Sequence, residues 1–85
     1  MRIELPDREI ASLELTPEQA RLELAVGLYA GGRVSISRGA RIAGVAYAFF
    51  WHELARRNLP IKPAAEDAEP EMRMAQELSH RTARA

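Results

Sequence analysis

The sequence predicts a small, mainly α-helical protein with short terminal strands, a helix-turn-helix core of about three helices and a flexible C-terminal tail. Apolar residues recur at helical spacing between residues 16 and 57, glycine and proline interrupt that pattern, and the composition changes at Pro63. The chain has 85 residues and no cysteine. Its core is therefore small and lacks disulfides, which favours a homodimer or an obligate partner.

The N-terminal third is predicted as a short strand followed by a long capped helix. Residues 2–5 alternate between polar and apolar, which indicates an edge strand, whereas residues 7–15 fit either a helical turn or a loop. Residues 16–19 (Thr-Pro-Glu-Gln) place a hydroxyl at the N-cap, proline at N1 and glutamine at N3, which predicts a capping box. Gly31-Gly32 supplies the left-handed residue that ends this helix.

Two further helices joined by a tight turn are predicted in the centre of the chain. Ser35 is the N-cap candidate for a short helix from Ile36 to Ala43, which stops at Gly44. A third helix then runs from about Ala46 to Arg57. Asn58 can adopt the left-handed conformation that ends it.

The chain is predicted to divide after residue 62. Pro60 prevents any continuation of the third helix, and residues 59–61 fit a second short strand. Residues 63–70 contain no aromatic or branched apolar side chain, which indicates a linker. We therefore assign residues 1–62 to a helix-turn-helix domain and residues 63–85 to a linker with a partner-binding or disordered tail.

The spacing Ala40-x3-Gly44-x5-Phe50 supports the helix-turn-helix assignment. Such a motif needs a small residue where the second helix crosses the first, a glycine in the turn and an apolar side chain that packs back. Val45 and Leu54 complete the apolar side. A helical hairpin with a purely structural role fits the same spacing.

Charge is distributed unevenly along a chain of zero net charge. Residues 33–62 carry six basic residues and one acidic residue, whereas the segments on either side are acidic. This asymmetry is typical of a segment that meets a polyanion, although a chance cluster on a solvated surface would look the same. The third helix would enter the major groove while hydroxyl and guanidinium groups hold phosphates. The candidate DNA-binding residues are Arg33, Ser35, Ser37, Arg38, Arg41, Tyr47, Ala48, His52 and Arg56.

The third helix also has features of a protein interface. It is poor in the arginine, asparagine, glutamine and lysine side chains that usually read bases. Its aromatic run covers more of the circumference than one buried stripe needs, and the tail contains a weakly amphipathic stretch. The candidate partner-binding residues are Phe49, Trp51, Met72, Arg73, Leu78 and Arg81. The alternative function is therefore a protein-interaction module on a helix-turn-helix scaffold that does not bind DNA.

Other functional classes find no support in the sequence. The only histidines, His52 and His80, are too few for a metal cluster, and Asp7 and Asp67 lie near predicted loops. No apolar run approaches the ~20 residues that span a bilayer, and the N-terminus does not resemble a secretory signal. We expect a cytoplasmic protein that is not an enzyme, with no metal, cofactor, small-molecule substrate or membrane contact.

From Leu15 to Ile61 the chain resembles the small prokaryotic family called uncharacterised protein family 0175. The resemblance rests on the capped start of the first long helix and on a set of later matches: residues 28–36 (LYAGGRVSI), residues 40–45 (ARIAGV), Phe50, Leu54 and residues 59–61. Ala46-Tyr47 replaces a polar pair that is common in the family, and Phe49 replaces a glutamate.

Members of that family are regarded as helix-turn-helix antitoxins, often paired with PIN-domain ribonuclease toxins. The resemblance therefore implies operator binding, repression of the chain's own operon and neutralisation of a cognate toxin in a type II toxin-antitoxin pair. Because PIN-type sites are clusters of metal-binding carboxylates, an inserted guanidinium could take the place of the cation. The tail candidates for that role are Arg73, Arg81 and Arg84.

Overall fold

The computed structural model describes residues 7–83, and this part of the chain is mainly helical. Its helices are α1 (Asp7–Ala11), α2 (Pro17–Ala30), α3 (Ile36–Ala43), α4 (Tyr47–Arg56), the 3₁₀ helix η1 (Ala65–Asp67) and α5 (Ala68–Ala83). The ambiguous segment 7–15 therefore contains a short helix. Within residues 7–83, no helix combines the length and the apolar character needed to cross a membrane.

The predicted strand at residues 59–61 is wrong, because these residues form irregular chain. The Tyr29 hydroxyl donates to the carbonyl oxygen of Pro60 and accepts from the amide of Lys62, both at 2.8 Å. A side chain of α2 thus satisfies backbone groups that a neighbouring strand would otherwise have to pair. The strand predicted at residues 2–5 lies outside the described residues.

The predicted helix ends are confirmed. The Thr16 hydroxyl accepts from the Gln19 amide at 3.1 Å, and the Gln19 side chain accepts from the Thr16 amide at 2.8 Å. The residues with positive φ angles after α2, α3 and α4 are Gly32 at 73°, Gly44 at 74° and Asn58 at 60°. Local capping chemistry therefore sets the lengths of α2, α3 and α4.

The core lies between α2, α3 and α4. Its fully or almost fully buried apolar side chains are Ala25, Val26, Ile36, Ala40, Ala43, Phe50 and Leu54. Residues 44–46 form the turn between α3 and α4, and the Arg21 guanidinium donates to the carbonyl oxygen of Ile42 near the end of α3. This contact ties α2 to the C-terminal end of α3.

The crossing of α3 and α4 differs in one residue from the expectation. Ala40 is buried, but the Phe50 ring lies directly over its neighbour Gly39. A Cβ atom on Gly39 would lie 2.6 Å from Cε2 of Phe50. The small residue that the crossing requires is therefore Gly39, and Ala40 packs beside it in the core.

The segment predicted as a linker instead packs against the helical core. It contains η1, which lies against α3, and it leads into α5, which lies against α4. Asp67 is fully buried despite its charge. The physical reason is a set of hydrogen bonds that Asp67 accepts from α3 and from the start of η1, and a search for apolar patterns does not detect such bonds.

Candidate nucleic-acid interface

The N-terminus of α3 was the predicted phosphate site, and a carboxylate of the chain itself fills it. The Ser35 hydroxyl caps the helix by accepting from the Arg38 amide at 3.1 Å. The Ser37 amide donates to Oδ1 of Asp67 at 2.8 Å, and the Ser37 hydroxyl donates to the same oxygen at 2.6 Å. Ser37 is only 8% exposed. Its donors are therefore committed within the chain.

Asp67 is held as an anion. Its second carboxylate oxygen accepts from the Ala64 amide at 2.7 Å. Burial by itself would raise the pKa of Asp67, but hydrogen bonds from Ser37, Ala64 and Ile36 outweigh it, and the pKa lies below its ordinary value. A negative charge next to the first turn of α3 also interacts favourably with the helix dipole.

Glu66 binds two further groups of the predicted phosphate site. The Ser35 hydroxyl donates to one oxygen of its carboxylate, and the Arg41 guanidinium lies 3.9 Å from the other. The Glu66 carbonyl oxygen also accepts from the Ser37 hydroxyl at 3.3 Å. The structure thus brings together Ser35, Ser37 and Arg41 as the sequence predicted, with Glu66 and Asp67 already bound to them.

A basic groove runs along the other side of the α3 N-terminus. It encloses a cavity of about 500 Å³ between the end of α2, the start of α3 and the irregular chain after α4. Arg33, Arg38 and Lys62 line it and are exposed. Within residues 7–83 these three cations make no ion pair, although Glu66 also lines the groove. They are the cations best placed to attract a polyanion.

The remaining cations of the basic block are partly neutralised. Glu53 accepts from both Arg56 and Arg57, and Arg57 also donates to Glu23 at 2.7 and 3.1 Å. Hydrogen bonds from Arg57 lower the pKa of Glu23, and those from Arg56 and Arg57 lower the pKa of Glu53. Arg56 is exposed as predicted, but its charge is shared with a carboxylate.

The predicted reading residues of α4 divide between two surfaces. His52 is exposed and lies on the outward side with Phe49 and Arg56. Tyr47 and Ala48 are only half-exposed, because they line a narrow groove beside α5. Pro70 and Met74 of α5 lie across that groove.

Tyr47 is held in a poorly solvated position beside α5. Burial, followed by the negative charges of Asp67 and Glu71, raises the pKa of Tyr47 to about 12. Its hydroxyl oxygen and the indole nitrogen of Trp51 are buried without a hydrogen-bond partner among the described residues. Tyr47 and Trp51 lie one helical turn apart on the same side of α4. This side is therefore only partly exposed to solvent, and two of its buried polar atoms lack a hydrogen-bond partner among the described residues.

Comparison with known protein families assigns the chain to a family. The model of the uncharacterised protein family UPF0175 matches residues 1–77. The chain belongs to the UPF0175 family. A UPF0175 protein of Archaeoglobus fulgidus is 36% identical over 61 residues, which cover 72% of this chain and 70% of that protein. No solved structure matches the chain.

The predicted partner-binding residues of this UPF0175 chain are mostly exposed. Phe49 is 52% exposed, Met72 61% and Leu78 48%, whereas Trp51 is half-buried. Arg73 is exposed and pairs with Glu69 one turn earlier in α5. The Arg81 side chain and the whole of Arg84 lie outside what the structure describes. The exposed apolar groups thus lie on both α4 and α5.

Sequence reasoning missed Glu66 and Asp67, the residues that most change the character of this site. Their partners lie about thirty positions earlier in the chain, and no periodic pattern reports such a contact. One local signal was present. An acidic residue at the third helical position commonly accepts from the backbone amide at the N-cap, which is the relation of Asp67 to Ala64 in this UPF0175 chain.

Proposed function

We propose that α3, the turn and α4 form a DNA-binding helix-turn-helix, and that the chain is an antitoxin-type repressor of a type II toxin-antitoxin pair. In this proposal it acts in the cytoplasm as a homodimer, represses its own operon and neutralises a partner toxin, for which a PIN-domain ribonuclease is the candidate. Membership of UPF0175 and the geometry of α3 and α4 support the proposal.

The observation that carries the DNA-binding half is the turn geometry combined with unpaired positive charge beside it. Gly44 has a left-handed backbone conformation in the turn between two short helices, and the Phe50 ring packs over Gly39 where these helices cross. Next to this unit, Arg33 and Arg38 are exposed cations without an ion pair among the described residues. Neutralised phosphates release counterions, which drives such binding.

The test is the salt dependence of binding to the DNA upstream of the chain's own gene. The logarithm of the affinity should fall with the logarithm of salt concentration by about 0.9 per phosphate contacted. Arg33→Ala and Arg38→Ala should each reduce that slope by roughly 1. Arg8→Ala is the matched control, because Arg8 is an exposed arginine on α1, away from the turn and from the groove. Absent or salt-independent binding would refute DNA recognition.

The toxin-binding half is tested by co-expression with the product of the neighbouring gene. Met72 is 61% exposed, so Met72→Glu should leave the fold intact and weaken the complex. Gln76→Glu is the control, because it adds the same charge at another exposed position of α5. Equal complex formation by both variants would show that the exposed part of α5 does not contact the partner.

One observation favours the second candidate, a protein-interaction module without DNA binding. Phe49 is 52% exposed on the outward side of α4, where a reading helix would carry hydrogen-bonding groups. In that case Phe49→Ser should abolish a hetero-complex, and Arg38→Ala should change nothing. The opposite pattern would support the DNA-binding function.

A further inference from the structure

We propose that residues 64–77, the clasp segment, occupy the DNA-binding face of α3 and α4, so that DNA binds only after this segment has left. The inference rests on the proposed DNA binding and adds a regulatory step to it. Its basis is the position of the clasp segment, which covers the N-termini of both helices of the motif. Glu66 and Asp67 cover α3, while Pro70 and Met74 lie against the start of α4.

The position of the clasp segment matters because of how a helix-turn-helix docks on DNA. The first helix directs its N-terminal groups at the phosphate backbone, and the first turns of the second helix face base edges. These are the two places where the clasp segment lies. Ala48, at the start of α4, lines the groove that Met74 closes from the other side.

The clasp segment also satisfies the same groups that a phosphate would. Phosphate oxygens at a helix N-terminus accept from backbone amides, hydroxyls and guanidinium groups. Here the Asp67 carboxylate accepts hydrogen bonds from the amide and hydroxyl of Ser37. The Glu66 carboxylate accepts a hydrogen bond from the Ser35 hydroxyl and forms an ion pair with Arg41. A DNA phosphate cannot share this site with two carboxylates, because the charges are alike and the donors of Ser35 and Ser37 are already used.

The two halves of the clasp segment differ in how completely the buried polar atoms at their contacts are hydrogen-bonded. At α3 every carboxylate oxygen of Asp67 accepts a hydrogen bond. At α4 the polar atoms of Tyr47 and Trp51 are buried without partners in the described part of the chain, and a cavity of about 180 Å³ remains beside Tyr47. Unpaired buried polar atoms disfavour the closed form. Release would therefore start at α5, and Asp67 is the contact that holds the segment closed.

The test compares Asp67→Asn with Glu69→Gln in the full chain. Both variants remove one negative charge from the same segment, but the Glu69 side chain is 80% exposed and pairs with Arg73 within α5. Faster amide hydrogen exchange across residues 65–77 reports release of the segment, and titration with the upstream duplex reports DNA affinity. Asp67→Asn should bind about tenfold tighter or more, since the competent fraction rises, and Glu69→Gln should not.

Three results would overturn the inference. If Asp67→Asn releases the segment but binds DNA no more tightly than the unmodified chain, the clasp lies off the DNA face while DNA binding stands. If Glu69→Gln gains as much affinity as Asp67→Asn, the gain is a general charge effect. If neither the unmodified chain nor the released variant binds DNA at any salt concentration, the proposed function itself fails.

A second measurement uses the unmodified chain and does not depend on the folding of Asp67→Asn. Release of the segment and DNA binding are coupled reciprocally, so saturating DNA should speed amide hydrogen exchange across residues 65–77. In the same sample the amides of α3 and α4 should become better protected. Unchanged or slower exchange of residues 65–77 in the DNA complex would refute the inference.

Discussion

Replacing Gly39 by alanine tests whether the α3–α4 crossing is as tight as the structure shows. An added Cβ would lie 2.6 Å from Cε2 and 2.7 Å from Cζ of Phe50, whereas ordinary contacts begin at 3.4 Å. The ring must therefore retreat by roughly 0.8 Å in a closely packed interior. Phe50 is fully buried, so it has no open space into which to move.

The expected magnitude comes from two opposing effects. Overpacking of this kind typically costs about 1–3 kcal/mol of unfolding free energy. Alanine in a helix interior regains about 1 kcal/mol over glycine through its higher helix propensity. Because a buried ring has little freedom to adjust, the overpacking cost should lie in the upper part of its range, at about 2–3 kcal/mol, and exceed the gain of about 1 kcal/mol. We expect Gly39→Ala to lower the unfolding free energy by about 1–2 kcal/mol.

Gly27→Ala provides the matched control in α2. A Cβ atom there would meet nothing within 4 Å, so the variant should gain about 0.5–1 kcal/mol. Urea unfolding followed by Trp51 fluorescence would measure both, and a change of 1 kcal/mol corresponds to about 4–8 °C in thermal unfolding. Equal or greater stability of Gly39→Ala than of Gly27→Ala would refute the tight crossing. If Gly27→Ala instead lowers the unfolding free energy by an amount that depends on protein concentration, a second copy of the chain packs against α2.

Three other predictions concern polar groups. Tyr29→Phe should lower the unfolding free energy by about 0.5–1.5 kcal/mol per hydrogen bond lost, because water can reach the exposed Pro60 carbonyl and Lys62 amide, and faster exchange of the Lys62 amide would show the loss. The pKa of Asp67 is lowered in the folded chain, so its ionised carboxylate stabilises the fold. Its contribution to the unfolding free energy should be complete above the ordinary aspartate pKa and should decline as the pH falls through the pKa of Asp67 in the folded chain. An acid titration of Trp51 fluorescence should show this step, and Asp67→Asn should lack it. Tyr47 should form its phenolate only near pH 12. Ultraviolet titration of the unmodified chain and of Tyr47→Phe would check this, and a step near pH 10 that is missing from Tyr47→Phe would contradict the burial of Tyr47.

Local chemistry made much of the fold predictable. The Thr16 capping box, the left-handed Gly44 and the left-handed Asn58 each act within a few residues, so the sequence shows them directly. Ala40 is buried as the small residue near the crossing, but the sequence did not show that Gly39 also lies directly under the Phe50 ring, because only packing decides that contact. Short-range patterns identify candidates for a contact but not its partner.

The closing of the N-terminus of α3 was not predictable in the same way. Residues 63–70 contain no apolar pattern, which is why they look like a linker. The fully buried Asp67 carboxylate holds them in place, and its stabilising effect depends on hydrogen-bond donors that lie about thirty positions earlier in the chain. Composition measures how much apolar surface a segment can bury, but it does not register a few well-formed charged hydrogen bonds.

The aromatic run of α4 explains why this helix looked ambiguous from sequence. Successive residues of a helix point about 100° apart, so three consecutive aromatic side chains face three different surfaces. Phe50 packs in the core, Trp51 is half-buried against the core on the side of Tyr47, and Phe49 faces outward. The helix therefore has no free side that is rich in hydrogen-bonding groups while the clasp segment is in place. If the clasp segment regulates DNA binding as proposed, His52 on the outward side can reach bases in either form, whereas the Tyr47 side becomes available only when α5 moves away.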